Sequence, residues 1–231
     1  MLVSVIIPAL NEAENIRPCI AAARWDYPPG EVEIIVADGG STDGTPDRIP
    51  ADVTLIHTPR GRAVQMNQGA AASRGAVLLF CHADSLLPAG WRSAVLAALG
   101  EPGGSGGVFR TQILPETTWL LWVRNRQPMS NHWWEMHGDQ AQFMTREVFE
   151  RLGGFPELPL MEDVEMSRAL HQVGRLVRLP LCVTTSSRRY LERGVLRQAL
   201  RNRWNLFRYL RLGATAADIA RTYHTRREEE P

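Results

Sequence analysis

Short apolar runs bounded by polar turns alternate with helical periods through the first hundred residues, the pattern of βαβ units and a parallel sheet. Val3–Pro8 is apolar throughout, as a strand buried on both faces would be. Asn11 followed by Glu14 has the form of a capping box and predicts a helix running to about Arg24. Val32–Asp38 is the second strand, and it ends in Asp38-Gly39-Gly40-Ser41-Thr42-Asp43-Gly44, too rich in Gly and Asp to continue extended. Thr45-Pro46 reads as an N-cap with Pro at the first helical position. A third strand at Val53–His57, a helix at Arg62–Ser73 and a fourth strand at Ala76–His82 follow, the last closing on His82-Ala83-Asp84. Polar groups therefore gather at the C-terminal ends of strands, the edge where open α/β sheets bind ligands.

Beyond Gly100 the pattern becomes mixed. Gly103-Gly104-Ser105-Gly106-Gly107 matches G-x-S-x-G, but it follows Glu101-Pro102 and not a strand, so it reads as a flexible connection and not as a nucleophile elbow. Trp119, Trp122, Trp133 and Trp134 can stack on a sugar ring or contact lipid, but aromatic clusters more often fill cores and they are expected there; a helix is expected from about Asp163. A basic helix covers about Gly194–Leu212, ahead of the charged ending Glu228-Glu229-Glu230-Pro231, which is expected to fray. Within that helix Leu196, Leu200, Trp204, Phe207 and Leu210 share one face, expected to dock on the core with the arginines in solvent. The other reading is an interfacial helix on an anionic membrane.

Composition narrows the chemistry. The 231 residues are 44% hydrophobic and 22% charged, enough for one large domain or a domain with an appendage. All 26 Lys+Arg residues are Arg. Without lysine, P-loop ATPases and Schiff-base mechanisms are excluded. Residues 1–100 carry 7 Arg against 10 acids and residues 101–231 carry 19 against 15, with eight Arg and one Glu in 188–211. That cluster is too local for a nucleic-acid footprint, but it suits phosphates or an anionic surface. Three widely spaced cysteines form neither a disulfide framework nor a zinc site, and Cys81 reads as a buried, inert thiol, which together predict a reducing compartment. The N-terminus lacks a basic leader and no apolar stretch reaches the roughly 18–20 residues of a span, so the expectation is a cytoplasmic protein, peripheral at the inner membrane face at most.

Three carboxylate-bearing segments are candidates for chemistry. Asp38 and Asp43 flank the Gly-rich loop, where an Asp can accept from a ribose or a base N–H or simply cap a turn; the loop lacks the G-x-G-x-x-G order of a dinucleotide fingerprint. His82 and Asp84, two residues apart, can hold Mg²⁺ or Mn²⁺ against a diphosphate, or be a satisfied histidine and a turn cap. Glu162-Asp163 opens a helix, where a carboxylate is stabilised as the anion a base must be, although ordinary helix-start acids look the same.

Taken in order, Ser4-Val5-Ile6-Ile7-Pro8-Ala9-Leu10-Asn11-Glu12, Val36-Ala37-Asp38 through Thr45, His82-Ala83-Asp84, Gly138-Asp139-Gln140 and Glu162-Asp163 resemble the inverting family 2 glycosyltransferases with the GT-A fold. The resemblance runs from Ser4 to about Tyr190. It implies an α/β, Rossmann-like fold with a mostly parallel central sheet and helices on both faces. Residues 1–190 would form the domain, 1–100 its nucleotide half and 101–190 its acceptor half, with 191–231 as a helical extension. It also implies that Pro8, Ala9, Asn11, Glu12, Asp38, Arg62 and Ala83 contact the nucleotide, near a helix start that includes Gln65 and Asn67. His82 and Asp84 would take the place of the D-x-D metal motif, with His for the first acid. Asp163, beside Glu162, would be the base, and Asp139 and Gln140 would sit at the sugar and acceptor. Arg188 and Arg189 stand where some relatives carry a pyrophosphate-binding Q-x-x-R-W, here without the Gln and with Tyr190 for Trp.

The implied partners are a nucleotide-sugar donor, UDP-linked most often, and a small-molecule or lipid-linked acceptor. The run Gly153–Asp163 with Thr185–Tyr190 further resembles a small bacterial subfamily associated with radical-SAM and arsenosugar gene neighbourhoods, which implies a small-molecule acceptor. The chemistry agrees: displacing a nucleoside diphosphate from an anomeric carbon needs a cation or arginines for the leaving group and one carboxylate for the acceptor proton, whereas a glycosidase needs two. A sugar nucleotidyltransferase, a non-catalytic nucleotide-sugar binder and a peripheral membrane module are the competing readings.

Overall fold

The computed structural model describes residues 1–25, 27–126, 130, 132–187 and 194–224, with 222–224 by backbone alone. Among them, eight strands form one sheet in the order β3-β2-β1-β4-β7-β6-β8-β5. β1 (Val3–Ala9) pairs in parallel with β2 (Val32–Asp38) and β4 (Val77–Phe80), and β2 pairs in parallel with β3 (Thr54–His57). Alternation along these runs supplies both layers. Val5 and Ile7 of β1 and Val77 and Leu79 of β4 pack toward α1 (Ile16–Arg24) and α3 (Trp91–Gly100). Ile6, Leu78 and Phe80 point the other way, toward α2 (Arg62–Ala72), α5 (Arg146–Arg151) and α6 (Glu162–Val173).

The second half turns the sheet mixed. β7 (Gln142–Thr145) runs antiparallel to β4 and to β6 (Gly104–Leu114), β6 runs parallel to β8 (Arg175–Ser186), and β5 (Ser85–Leu86) adds an antiparallel edge. The glycine run expected to be a flexible connection is instead the start of β6, in the middle of the sheet. A Cβ on Gly106 would lie 2.6 Å from the Phe143 carbonyl oxygen, and one on Gly107 would lie 2.3 Å from that of Val177 and 2.5 Å from the Phe143 ring. Glycine is there for close approach, not for mobility.

Four further expectations are corrected. α1 starts at Ile16, not after Asn11, because Asn11 adopts φ 54° and spends its side chain on the neighbouring loop. Thr45-Pro46 opens only a single 3-10 turn, Pro46–Arg48, and the Thr45 hydroxyl accepts from the Glu12 N–H instead of capping it. The tryptophans are not core: Trp119 and Trp122, on α4 (Trp119–Arg126), and Trp134 are exposed, while Trp133 is partly buried with the Arg168 guanidinium 5.0 Å from its ring.

The fourth concerns α7 (Val195–Arg211), which sits with its apolar face outward. Gln198 and Asn205 are its buried residues, and the Tyr209 hydroxyl donates to Glu165 on α6 at 2.7 Å. Gln198, Asn205 and the Tyr209 bond mark the side that faces the protein, with Leu206 and Leu210 partly buried beside them. A last helix, α8 (Ala216–His224), follows, and among the described residues no helix is long and apolar enough to cross a membrane.

Candidate active site

β1, β2 and β4 end together, and buried Gln65 of α2 ties two of them by donating from Nε2 to the carbonyls of Ala9 and Ala37, both at 2.8 Å. The loops beyond are joined residue to residue. Asn11 N–H donates to Ser41 Oγ, Thr42 N–H to Asn11 Oδ1, Glu12 N–H to Thr45 Oγ1 and Ala13 N–H to Asp43 Oδ2, all at 2.8–2.9 Å. Asn11 and Glu12 thus build the wall on which Pro8 and Ala9 end.

The two aspartates of the loop part company. Asp43 is consumed by Thr45 and Ala13, which hold its carboxyl below the usual range against the opposing effect of desolvation. Asp38 is 1% exposed; its Oδ2 accepts from Gly40 and Ser41 N–H at 3.1 Å, while its Oδ1 is buried with no hydrogen bond among the described residues. An acceptor left open at a strand end is an outlay that a ligand donor would repay.

Past β4 the chain turns at His82-Ala83-Asp84, with Ser85 N–H donating to the His82 carbonyl at 3.0 Å and the buried thiols of Cys19 and Cys81 directed at the same oxygen. The Cys81 bond and burial push the Cys19 thiol well up, so it stays protonated and unreactive. Ala83 is buried, and Asp84 lines an open cleft of about 600 Å³ with Asn15, Pro18, Leu86, Leu114 and Glu116. No three His, Cys, Asp or Glu side chains converge as a metal-holding group among the described residues. Asp84 and His82 suit Mg²⁺ or Mn²⁺ provided the remaining ligands come from phosphate and water, which is how Mg²⁺ is commonly held.

At the start of α6 the adjacent acids have separate roles. Glu162, 1% exposed, pairs with Arg62 at 3.0 Å. Burial pushes its carboxyl up, Arg62 pulls it back and the Asp163 charge adds to the rise, leaving it above the ordinary value. Asp163 accepts from Gly138 N–H at 2.7 Å and from Val164 N–H at 2.8 Å. Burial works against its charge, but His137, the Gly138 bond, Arg62 and His82 outweigh it and hold the carboxyl below the ordinary range. A Cβ on Gly138 would stand 3.1 Å from His82 Nε2 and 3.3 Å from Asp163 Oδ2, so these two side chains approach one small volume.

Gln140, expected at the sugar, is 3% exposed; it donates to the Glu135 carbonyl and accepts from Arg178, each at 3.0 Å. Its amide is spent on the Glu135 backbone and on Arg178. Asp139 keeps a buried Oδ1 with no hydrogen bond among the described residues. Gln65 and Asn67, expected beside a nucleotide, are structural: Asn67 brackets the Phe155 N–H and carbonyl at 2.9 Å and pins the Gly153–Phe155 turn leading to α6. Asn67→Ala is expected to cost about 1–3 kcal/mol, since it strands part-buried backbone groups; urea unfolding measures it, and no loss would show that the turn is held by packing alone. Arg188 and Arg189 lie outside the described residues.

Two residues escaped the sequence reading. Arg178 donates to the carbonyls of Ser130 and Glu135 as well as to Gln140, and His137 is the first of the charges holding Asp163 down. His137 directly precedes the Gly138-Asp139-Gln140 block, which was a usable signal; Arg178 sits in an ordinary strand pattern and gave none.

Residues 4–151 match the model of the family described as glycosyl transferase family 2. A probable glycosyltransferase of Bacillus subtilis, YdaM, is 27% identical over 79% of this chain and 50% of its own length. The succinoglycan biosynthesis protein ExoA of Rhizobium meliloti is 27% identical over 74% of this chain and 58% of its own. The chain thus spans about half the length of these curated relatives. Among solved structures, S. aureus TarS residues 1–349 superpose with a TM-score of 0.64 at 18% identity, covering 81% of this chain and 61% of that one. The mannosyltransferase PcManGT of Pyrobaculum calidifontis, in complex with GDP-Man and Mn²⁺, gives 0.62 at 25% identity, covering 88% and 60%. The fold is that of these GT-A glycosyltransferases, and with the family model matching well over half of its residues the chain belongs to glycosyl transferase family 2.

Proposed function

We propose that this chain transfers a sugar from a nucleoside diphosphate donor to an acceptor hydroxyl, with inversion and with Asp163 as the general base. The observation that carries the reading is the approach of Asp163 to His82 at the sheet edge where Asp38 keeps an open acceptor. Asp38 Oδ1 takes a base or ribose donor, and the wall of Pro8, Ala9, Asn11 and Glu12 with Ala83 bounds the nucleotide. Uracil N–H suits Asp38; guanine N–H groups suit it equally, and GDP-Man is the ligand of the PcManGT complex. A divalent cation, Mg²⁺ or Mn²⁺, held by Asp84 with His82, would supply positive charge for the departing diphosphate.

The acceptor oxygen forms its bond to the anomeric carbon as the bond to the diphosphate oxygen breaks, and the hydroxyl proton passes to Asp163. Glu162 is engaged by Arg62, which leaves Asp163 as the carboxylate of that pair to act, and one displacement inverts the configuration. Arg62, whose side chain stays 36% exposed beside its bond to Glu162, would meet the leaving group. Arg188 or Arg189 would contribute to the pyrophosphate, and Asp139 to the sugar or acceptor, either a small molecule or a lipid-linked one.

Thermal unfolding with a panel of UDP- and GDP-sugars, with and without Mn²⁺, tests the reading. A donor at about 100 times its Kd adds about 2.7 kcal/mol, a rise of roughly 5–10 °C for a chain of this size. Failure of every nucleotide to raise Tm would overturn it. Asp84→Ala is expected to remove the increment due to Mn²⁺ while leaving the metal-free shift, and an unchanged increment would take the cation away from Asp84.

A further inference from the structure

We infer that the outer face of α7, with α4 beside it, is a docking surface for an anionic lipid bilayer. A helix at a protein surface normally buries its apolar stripe and shows water its polar side. Here most of that stripe is turned outward. Leu196, Leu200, Trp204 and Phe207 are 58, 59, 56 and 48% exposed, whereas Gln198 and Asn205 are buried and Tyr209 reaches Glu165. The Trp204 and Phe207 rings stack, with centroids 5.8 Å apart, and α4, which packs against α7, adds exposed Trp119 and Trp122.

Charge selects the occupant. The 17 residues of α7 contain five arginines and no acid. By helical spacing Arg203 borders the apolar strip on one side, and Arg197, Arg201 and Arg208 border it on the other. A second copy packed strip to strip would bring these arginine rows together without counter-charges from either helix. Nucleic acid would match the arginines and leave the leucines and aromatics in water. An anionic bilayer satisfies both: leucines and aromatics enter the headgroup and acyl boundary, and each nearby arginine contributes about 1 kcal/mol. At 1.5 Å per residue α7 is about 25 Å long and charged at both edges, so it lies in the interface and does not cross it. On its inner side α7 is tied by the Tyr209–Glu165 bond to α6, whose first turn carries Asp163, so docking would hold the carboxylate one helix away from the membrane.

Co-sedimentation of the full chain with phosphatidylcholine vesicles, with and without phosphatidylglycerol, at low and moderate salt, tests the inference. Binding is expected to the anionic vesicles, at least tenfold above the neutral ones, and to weaken as salt screens the arginines. Trp204→Glu should lower it at least tenfold, and Arg197→Gln with Arg203→Gln should flatten its salt dependence. Both variants point outward and should keep the wild-type circular dichroism and nucleotide-induced Tm shift; loss of that shift in the wild type would count against the proposed transfer, not against docking. No binding to anionic vesicles at low salt, equal binding by Trp204→Glu, unfolding by that substitution, or a dimer that it dissociates would each overturn the membrane assignment.

Discussion

Asp163→Asn is expected to lower turnover by about 10²–10⁴-fold, the span general-base catalysis commonly supplies, while donor affinity stays near wild type. The substitution keeps the shape. An Asn oxygen can still accept from Gly138 N–H, so the loop carrying Gly138 stays docked on α6. What is lost is the anion that His137, Arg62 and His82 together stabilise, and with it the site that takes the acceptor proton. The fall should therefore appear in kcat and not in the donor-induced Tm shift. Glu162→Gln provides the contrast: its carboxylate is engaged by Arg62, so its cost should fall on stability first. Near-normal transfer by a folded Asp163→Asn would assign the base elsewhere.

The parallel half of the sheet was legible because β1, β2 and β4 are buried on both faces and their runs are closed by Asn11, Asp38 and His82 where the chain must turn. β6 was hidden by its own composition. Gly106 and Gly107 carry no side chain to show a period of two, and their reason for being glycine is the approach of β7 and β8, which no local pattern records. For α7 the period was correct and the direction was not. Amphipathicity locates a stripe on a helix but not the side on which the protein lies; Gln198, Asn205 and the Tyr209–Glu165 bond decided that.

The site shows the same limit. Asp38 and Asp43 are equivalent as residues in a loop, and only the bonds from Thr45 and Ala13 to Asp43 reveal which one is structural. The block order brought Asp38, His82, Asp84 and Asp163 to one edge, yet the charges that set the state of Asp163 include a histidine and an arginine distant from it in sequence.

Arg62→Ala is expected to destabilise the protein in a pH-dependent way, because it leaves Glu162 buried without its counter-charge. The Glu162 side chain is 2% exposed and the pair spans 3.0 Å, but the Arg62 side chain is 36% exposed, so the loss of about 3–5 kcal/mol typical of breaking a buried pair is an upper limit. Burial already raises Glu162, with Arg62 as the main opposing influence; without it the carboxyl titrates higher still. The folded state then holds a proton that the unfolded chain releases. Stability is accordingly best preserved below the ordinary glutamate value and falls as pH rises toward the higher folded-state value. Urea unfolding at mildly acidic and mildly alkaline pH should show the larger deficit on the alkaline side. Arg62→Ala with Glu162→Gln removes the stranded charge and should recover most of the loss, a coupling expected only for groups in direct contact. A deficit equal at both pH values and unrelieved in the double variant would show that Arg62 stabilises through packing. Donor affinity separates its second role: if Arg62 also meets the phosphates, the nucleotide-induced Tm shift stays reduced in the double variant even where stability has returned.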